Sequence, residues 1–202
     1  MFITFEGIDG SGKSTQLELL AEALRNAGKK VLLTREPGGT ALAENLRKVL
    51  LESNVSAQAE LLLFGAARAQ HVAEVIRPAL QESTFVLSDR FTDSSLAYQG
   101  GGLKLPSDFI DAMNQFACDD LRPDITFLLD IDPLAGNKRQ QLNHQKPDTI
   151  ESRGLGFLER VRQTYLQIAL RDSQRMFVIN ASRPPASVQC DIVAALQQRG
   201  VL

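Results

Sequence analysis

The sequence predicts an α/β fold, in which a five-stranded parallel sheet is covered by helices on both faces. Five short, apolar, β-prone runs alternate with longer segments of helical periodicity. Two of these runs, 85–87 and 125–129, are almost entirely apolar, which is typical of strands buried on both faces. Right-handed helical crossovers make such strands parallel and place the ligand-binding loops at the carboxyl edge of the sheet.

The elements follow one another in a regular order along a chain that predicts one domain, residues 1–202. The predicted strands are 2–6, 31–34, 84–88, 125–131 and 176–179. The predicted helices are 13–27, 41–52, 57–81, 107–118, 133–141, 151–172 and 185–198. Glycines predict loops at 37–39 and 100–102. A polar stretch interrupts the pattern and predicts a short lid at about 137–150.

Composition excludes several functional classes. A net charge of −2 argues against a protein that coats nucleic acid or binds a membrane surface. Cys118 and Cys190 suggest neither a disulfide framework nor a metal site. No apolar run has the length of a membrane span, and Glu6 and Asp9 near the N-terminus argue against a signal peptide. We therefore expect a cytoplasmic protein without a nucleic-acid or membrane partner.

The most informative motif follows the first predicted strand and begins the first predicted helix. Residues 7–14 read G-I-D-G-S-G-K-S, which matches the phosphate-binding pattern G-x-x-x-x-G-K-[ST]. Backbone N–H groups of such a loop surround a nucleotide's phosphates, while Lys13 adds a charge and the Ser14 hydroxyl can bind Mg²⁺. The predicted cofactor-binding residues are Gly7, Ile8, Asp9, Gly10, Ser11, Gly12, Lys13, Ser14 and Thr15. The motif alone leaves GTPases, ATPases and small-molecule kinases open.

Further clusters suggest a second substrate. Asp89 and Arg90 end a buried strand, where the carboxylate can support a metal through Ser14 and the guanidinium can bind phosphate. Phe64 and Arg68 share a helix face and could stack on a base and bond its carbonyl, although a core phenylalanine beside a solvated arginine is the simpler interpretation of this spacing.

A third cluster contains Ser94, Ser95 and Tyr98, which could reach a base edge and a sugar. Ordinary helix-capping serines are the alternative.

Three strings together resemble those of bacterial thymidylate kinases. They are F-E-G-I-D-G-S-G-K-S-T-Q at 5–16, R-E-P-G-G-T at 35–40, and D-R-F at 89–91 continuing to A-Y-Q-G at 97–100. The resemblance covers nearly the whole chain. It implies transfer of the γ-phosphoryl group of ATP to dTMP, giving dTDP, with Mg²⁺ and in a homodimer. The reaction needs positioning and charge neutralisation rather than a strong general base, because the acceptor is already an anion.

The resemblance also implies roles for individual residues. Phe64 would stack on thymine, Arg68 would bond a thymine carbonyl, and Ser95 would face the ring. Tyr98 would crowd the sugar 2′ position, and Asp9 would lie near the sugar and the acceptor phosphate. The remaining implied contacts are Arg90 on the acceptor phosphate, Glu36 and Pro37 lining the acceptor site, and Glu151 near the metal.

The predicted lid departs from the family pattern. Thr149 stands where an arginine is expected, which leaves Arg139, Lys146 and Arg153 as possible replacements. We expect Arg139 or Arg153 to move toward the phosphates when the site closes. Two alternatives remain open: a related kinase with another acceptor such as dUMP, and a nucleotide-binding protein with a degraded lid. A GTPase is disfavoured, because N-K-R-Q at 137–140 lacks the guanine-reading aspartate.

Overall fold

The computed structural model describes residues 1–142 and 153–202 and contains the predicted five-stranded, all-parallel sheet. Its strands are β1 (Phe2–Glu6), β2 (Val31–Arg35), β3 (Phe85–Asp89), β4 (Ile125–Asp130) and β5 (Met176–Asn180). They lie in the order β2-β3-β1-β4-β5. The first strand is therefore central, and its carboxyl end opens into the glycine-rich loop.

Helices connect the strands at nearly the predicted positions. The first group is α1 (Lys13–Asn26), α2 (Ala41–Glu52), α3 (Ala57–His71), α4 (Arg77–Gln81) and α5 (Thr92–Ser95). The second group is α6 (Ser107–Cys118), α7 (Pro133–Leu142), α8 (Leu155–Arg171) and α9 (Pro185–Gln198). The predicted helix 57–81 is one continuous helical rod in which a π-helical segment, Val72–Ile76, joins α3 to α4.

Helices cover both faces of the sheet, because neighbouring side chains of β1 enter different apolar clusters. Phe2 packs with Val72 and Ile76 from the rod formed by α3 and α4. The next residue, Ile3, belongs to the cluster that contains Leu20 and Leu24 of α1. Successive side chains of a strand point to opposite faces, so the two clusters lie on opposite sides of the sheet.

The predicted loop at 100–102 is wrong. These glycines end a second π-helical segment, Leu96–Gly102, which continues from α5. Their function is close packing rather than turning. A Cβ atom on Gly101 would lie 2.7 Å from Cβ of Thr164, and one on Gly102 would lie 2.7 Å from Cζ of Phe157 and closer still to Cε2 of the same ring. Both neighbours belong to α8, which packs directly against the segment.

The predicted lid begins inside a helix. Residues 137–142 are the last part of α7, and the rest of the predicted lid, 143–150, lies outside the described residues. Among the helices that the structure describes, none combines the length and apolar character needed to cross a membrane.

Candidate active site

The glycine-rich loop turns sharply between β1 and α1. Gly7, Gly10 and Gly12 have φ values of 136°, 76° and 92°, which residues that carry a Cβ atom rarely adopt. A Cβ on Gly7 would also lie 2.6 Å from the carbonyl oxygen of Leu129. Nothing lies within 4 Å of the position that a Cβ on Gly12 would occupy, where α1 begins. The loop thus leaves its backbone open to a ligand at the helix N-terminus.

Two polar groups of this loop suit an anion. The Lys13 ammonium donates to the carbonyl oxygens of Gly7 and Ile8, both at 3.1 Å, and lies 3.7 Å from Oδ1 of Asp9. Burial, then the neighbouring Arg90, lowers the pKa of Lys13. The buried hydroxyl of Ser11 has no hydrogen-bond partner among the described residues. Phosphate oxygens would give this hydroxyl and the lysine the acceptors that such groups require.

Ser14 and Asp89 meet across the end of the sheet. The Ser14 hydroxyl donates to Oδ2 of Asp89 at 2.9 Å, although the two residues are 75 positions apart. A hydroxyl backed by a carboxylate is the donor set that Mg²⁺ uses beside nucleotide phosphates. No larger cluster of metal-binding side chains occurs within residues 1–142 and 153–202. The third predicted metal ligand, Glu151, lies outside the described residues.

Arg90 is held in a network directly beside the loop. Its guanidinium donates to Oδ1 of Asp9 at 2.5 Å, to the Gly7 carbonyl at 3.0 Å and to the Tyr98 hydroxyl at 3.2 Å. Burial alone would lower the pKa of Arg90, but Asp9 and other neighbours outweigh it and raise the pKa well above the ordinary value. Burial alone would likewise raise the pKa of Asp9, but Arg90 and Lys13 lower it. Both groups therefore remain charged.

Glu6 supports the turn that carries Arg90. Its carboxylate is fully buried and accepts hydrogen bonds from the Phe91 amide at 2.7 Å, the Ser94 hydroxyl at 2.6 Å and the Tyr165 hydroxyl at 2.7 Å. Arg90 itself has a φ of 74°, so the backbone at this turn needs such support. Burial, together with Asp93, raises the pKa of Glu6 to about 7.

Two cavities meet at Asp9 and Arg90. The larger, about 940 Å³, is lined by loop residues 10–15, with Asp89, Arg139 and residues 181–185. The smaller, about 120 Å³, is lined mainly by Pro37, Phe64, Arg68, Ser94, Ser95, Tyr98 and Gln99. Glu36 and Arg47 line both cavities, as do Asp9 and Arg90. The predicted phosphate-binding and base-binding residues therefore form two adjoining compartments. The predicted residues Gly7 and Ile8 do not line the larger cavity; their carbonyls accept hydrogen bonds from the Lys13 ammonium.

Arg68 is buried, so the interpretation of a solvated arginine is wrong. Only 1% of its surface is exposed, and its Nε donates to Oε2 of Glu36 at 2.7 Å. Three further N–H groups bond Ser95 Oγ at 3.0 Å, Asn114 Oδ1 at 2.7 Å and the Phe91 carbonyl at 3.1 Å. A guanidinium has five N–H groups. The hydrogen bonds among the described residues use four, which leaves one for a ligand.

Glu36 connects Arg68 to the loop at 37–39. Its second carboxylate oxygen accepts a hydrogen bond from Nδ1 of the fully buried His71 at 3.1 Å. The other ring nitrogen, Nε2, lies 2.6 Å from the Thr34 hydroxyl. A Cβ on Gly39 would come within 2.7 Å of the same imidazole. His71 thus fixes both the Glu36 side chain and the path of the loop that carries Pro37.

Sequence reasoning missed two residues that line these compartments, and a third, Glu60, that supports one of them. Arg47 lines both cavities and donates to the Pro37 carbonyl at 3.0 Å. Gln99 lines the smaller cavity, and its amide donates to the buried carboxylate of Glu60 at 2.8 Å. Because glutamine and glutamate are common on helix surfaces, the sequence gives no signal for a pair 39 positions apart.

The two candidate lid arginines differ in position. Arg139 lines the larger cavity and donates to the carbonyls of Ala181 at 2.8 Å and Ser182 at 3.1 Å. Arg153 instead pairs with Glu60. Thr149 and Lys146, the other positions of that hypothesis, lie outside the described residues.

Comparison with known proteins identifies the family. The family model described as thymidylate kinase matches residues 5–192. The thymidylate kinase of Thermosipho melanesiensis is 51% identical over 183 residues, which cover 91% of this chain and 90% of that protein. That of Ectopseudomonas mendocina is 49% identical over 199 residues, covering 97% and 94%. The crystal structure of thymidylate kinase from Ehrlichia chaffeensis superposes with a TM-score of 0.82 at 37% identity, covering 97% of this chain and 98% of that one. The chain therefore belongs to the thymidylate kinase family.

Proposed function

We propose that this protein transfers the γ-phosphoryl group of ATP to dTMP, giving ADP and dTDP. The observation that carries the proposal is the junction of two cavities at Asp9 and Arg90. One cavity is lined by a phosphate-binding loop and the other by an aromatic ring and a buried arginine. A donor and an acceptor nucleotide in these compartments would bring their phosphates together at the shared wall.

The main obstacle to the reaction is repulsion between two polyanions. Lys13 and the loop amides would hold the β- and γ-phosphates of the donor, and Arg90 would hold the acceptor phosphate. An acceptor phosphate oxygen forms the new bond to the γ-phosphorus as the bond from that phosphorus to the β,γ-bridging oxygen breaks. Because the attacking oxygen is already anionic, no side chain has to remove a proton from it. Fixed positive charge and alignment supply the catalysis.

Mg²⁺ fits the pair formed by Ser14 and Asp89. The Ser14 hydroxyl would bind the ion directly, and Asp89 would hold its shell through that hydroxyl or through water. The bound ion would neutralise charge on the donor phosphates. Glu151 remains a predicted further ligand.

The smaller cavity suits a pyrimidine deoxynucleotide. Phe64 offers a ring face for stacking, and Arg68 has one N–H group left for a base carbonyl. Ser95 lies beside it, fixed by its bond to Arg68. The Tyr98 hydroxyl, held between Arg90 and Asp9, would lie against the sugar and crowd a 2′ substituent. Glu36, Pro37 and Ser94 complete the wall.

Arg139 is the stronger candidate for the lid arginine. It already lines the donor cavity, whereas Arg153 is engaged by a buried carboxylate. We therefore expect Arg139→Ala to lower kcat and Arg153→Ala to lower it less.

ADP release should be measured with ATP, Mg²⁺ and a panel of nucleoside monophosphates. We expect dTMP to be the best acceptor, with dUMP as the second candidate, and Lys13→Ala to abolish turnover. No ADP above background with dTMP would refute the proposal. A different preferred monophosphate would favour the related-kinase alternative. Binding of ATP without turnover of any acceptor would favour the degraded, non-catalytic alternative.

We also propose a homodimer formed through α3 and α6. These helices contact each other, and Gly65 of α3 closely approaches Met113 of α6. Their outer surfaces expose Leu62 by 55%, Phe109 by 54% and Phe116 by 89%. Phe109 and Phe116 are seven positions apart and therefore share one face of α6, and exposed apolar side chains grouped in this way favour an interaction surface. Light scattering should give a dimer mass that Phe116→Asp reduces toward a monomer; a monomeric wild type would refute the proposed dimer.

Cytoplasmic localisation stays a prediction.

A further inference from the structure

Glu60 is a buried carboxylate in the first turn of α3, next to the smaller cavity but not part of its lining. Only 1% of its surface is exposed. Oε1 accepts hydrogen bonds from Gln99 Nε2 at 2.8 Å and from Arg153 Nη1 at 3.1 Å, and Oε2 accepts from Arg153 Nη2. Arg153 supplies the opposite charge that a buried carboxylate requires. Glu60 is therefore fixed on one side by a cation and touches a cavity residue on the other.

This contact determines the orientation of the Gln99 amide. A glutamine amide has a donating end and an accepting end of nearly identical shape, and either end can face a neutral partner. A carboxylate only accepts, so it selects the donating end, Nε2. The other end, Oε1, accepts no hydrogen bond among the described residues, and Gln99 lines the cavity. If the amide were reversed, its oxygen would face the oxygens of Glu60.

Arg68 and Gln99 both line this cavity, and each has one polar group that no described residue engages. Arg68 offers its remaining N–H, and Gln99 offers Oε1. The Watson–Crick edge of thymine has the complementary pattern, an acceptor at O4 beside an N–H at ring position 3. Cytosine has the reverse, an amino group at position 4 beside an unprotonated ring nitrogen. Cytosine would therefore place two acceptors face to face at Gln99 and two donors face to face at Arg68.

We propose that Glu60 is a positioning residue for base specificity: it holds the Gln99 amide with Oε1 turned toward the base, so that the pocket admits pyrimidines with an N–H at position 3 and rejects cytosine. The inference rests on the proposed function, because it assumes that the smaller cavity holds the acceptor base. It does not separate thymine from uracil, since both carry this N–H.

The test compares kcat/KM for dTMP, dUMP and dCMP in four proteins: wild type, Glu60→Gln, Gln99→Leu and the double variant. In Glu60→Gln the amide of Gln99 is free to reverse. We expect the ratio of kcat/KM for dTMP to that for dCMP to fall by about tenfold or more. The ratio of dTMP to dUMP and the KM for ATP should stay unchanged. Once Gln99 is leucine, adding Glu60→Gln should change the dTMP to dCMP ratio no further.

Glu74→Gln provides a matched control. Glu74 also accepts a hydrogen bond from a glutamine, Gln70, on the same helical rod, but it is exposed and lies away from both cavities. The same substitution there should leave every ratio unchanged.

A purely supporting role for Glu60 predicts a different result. The kcat/KM values for all three acceptors would then fall together, and Glu60→Gln would have the same effect with leucine at position 99; either outcome overturns the inference. The wild type supplies an independent measurement should Glu60→Gln fail to fold. A dTMP analogue methylated at N3 should compete with dTMP at least about tenfold more weakly than dUMP does, and equal competition would also overturn it. A wild type that does not phosphorylate dTMP would instead refute the proposed function, and this inference with it.

Discussion

Replacing Arg90 with lysine would test whether activity depends on the planar geometry of the guanidinium or only on its positive charge. The guanidinium donates to five acceptors, of which the three nearest are Asp9 Oδ1 at 2.5 Å, the Gly7 carbonyl at 3.0 Å and the Tyr98 hydroxyl at 3.2 Å. A lysine ammonium carries its three N–H groups on a single atom and cannot reproduce this planar fork. Arg90→Lys would keep the positive charge beside Asp9 but lose the alignment of any group bound between them.

The expected loss in kcat/KM can be estimated, because lysine keeps the positive charge of Arg90 but not its planar set of donors. Removing an arginine that stabilises a transferring phosphoryl group lowers kcat by about 10³-fold to 10⁵-fold. Losing one preorganised donor lowers it by about 10²-fold to 10³-fold. Because the charge remains, we expect the smaller range for kcat/KM with dTMP, or about 3–4 kcal/mol of transition-state stabilisation. The KM for ATP should change by less than about threefold, since Lys13 and the phosphate-binding loop are intact.

A coupled assay of ADP release would measure both constants, and circular dichroism would check the fold. Arg25→Lys, at an exposed position near the end of α1, is the matched control and should behave as the wild type. An Arg90→Lys protein with kcat/KM for dTMP within about threefold of the wild type would refute the role given to the guanidinium fork.

Three further predictions concern stability. Glu6 has its pKa raised in the folded protein to about 7 from an ordinary value of 4.5, so the native state binds the proton more tightly. Its stabilising contribution is therefore complete below pH 4.5 and is lost as pH rises through 7. Between these pH values, the free energy of unfolding of the wild type should fall by of the order of 3 kcal/mol relative to that of Glu6→Gln, as measured by chemical unfolding. If the two free energies change with pH in parallel, the prediction is contradicted. Arg68→Met leaves the buried carboxylate of Glu36 without its cation and should lower the free energy of unfolding by about 3–5 kcal/mol, whereas a loss below about 1 kcal/mol would indicate that the pair is dispensable. Gly7→Ala introduces both an unfavourable φ and a contact with the Leu129 carbonyl and should destabilise by at least about 1–3 kcal/mol, while Gly156→Ala, in an open helical position of α8, should be neutral or stabilising in the same urea titration.

Hydrophobic runs predicted the strands well, but they gave the correct last residue only for β1. The predicted strands that end at 34, 88 and 179 each continue one residue further, to Arg35, Asp89 and Asn180. In these three strands backbone pairing continues after the apolar side chains stop. The error is reversed in β4, which ends at Asp130 although the apolar run predicted an end at 131. The fold class was predictable because strand order and crossover handedness restrict the alternatives strongly.

The candidate site was only partly predictable. Local motifs identified the loop around Lys13 and the turn at Arg90, since the chemistry there depends on neighbouring residues. Arg68 was ambiguous, because its burial depends on partners 23 to 46 positions away. The glycines at 100–102 resembled a loop, because composition cannot distinguish a turn from a close helix contact. The roles of the individual residues in binding and catalysis remain predictions.

The ion pair between Asp9 and Arg90 affects which anions can bind to the protein before a substrate does. At the place where two polyanions would approach each other, the resting protein displays opposite charges already matched at 2.5 Å. An inorganic anion from solution would have to compete with the Asp9 carboxylate for the Arg90 guanidinium. We expect loose anions to be held poorly there, and a phosphate to be retained only when the nucleoside attached to it is bound as well.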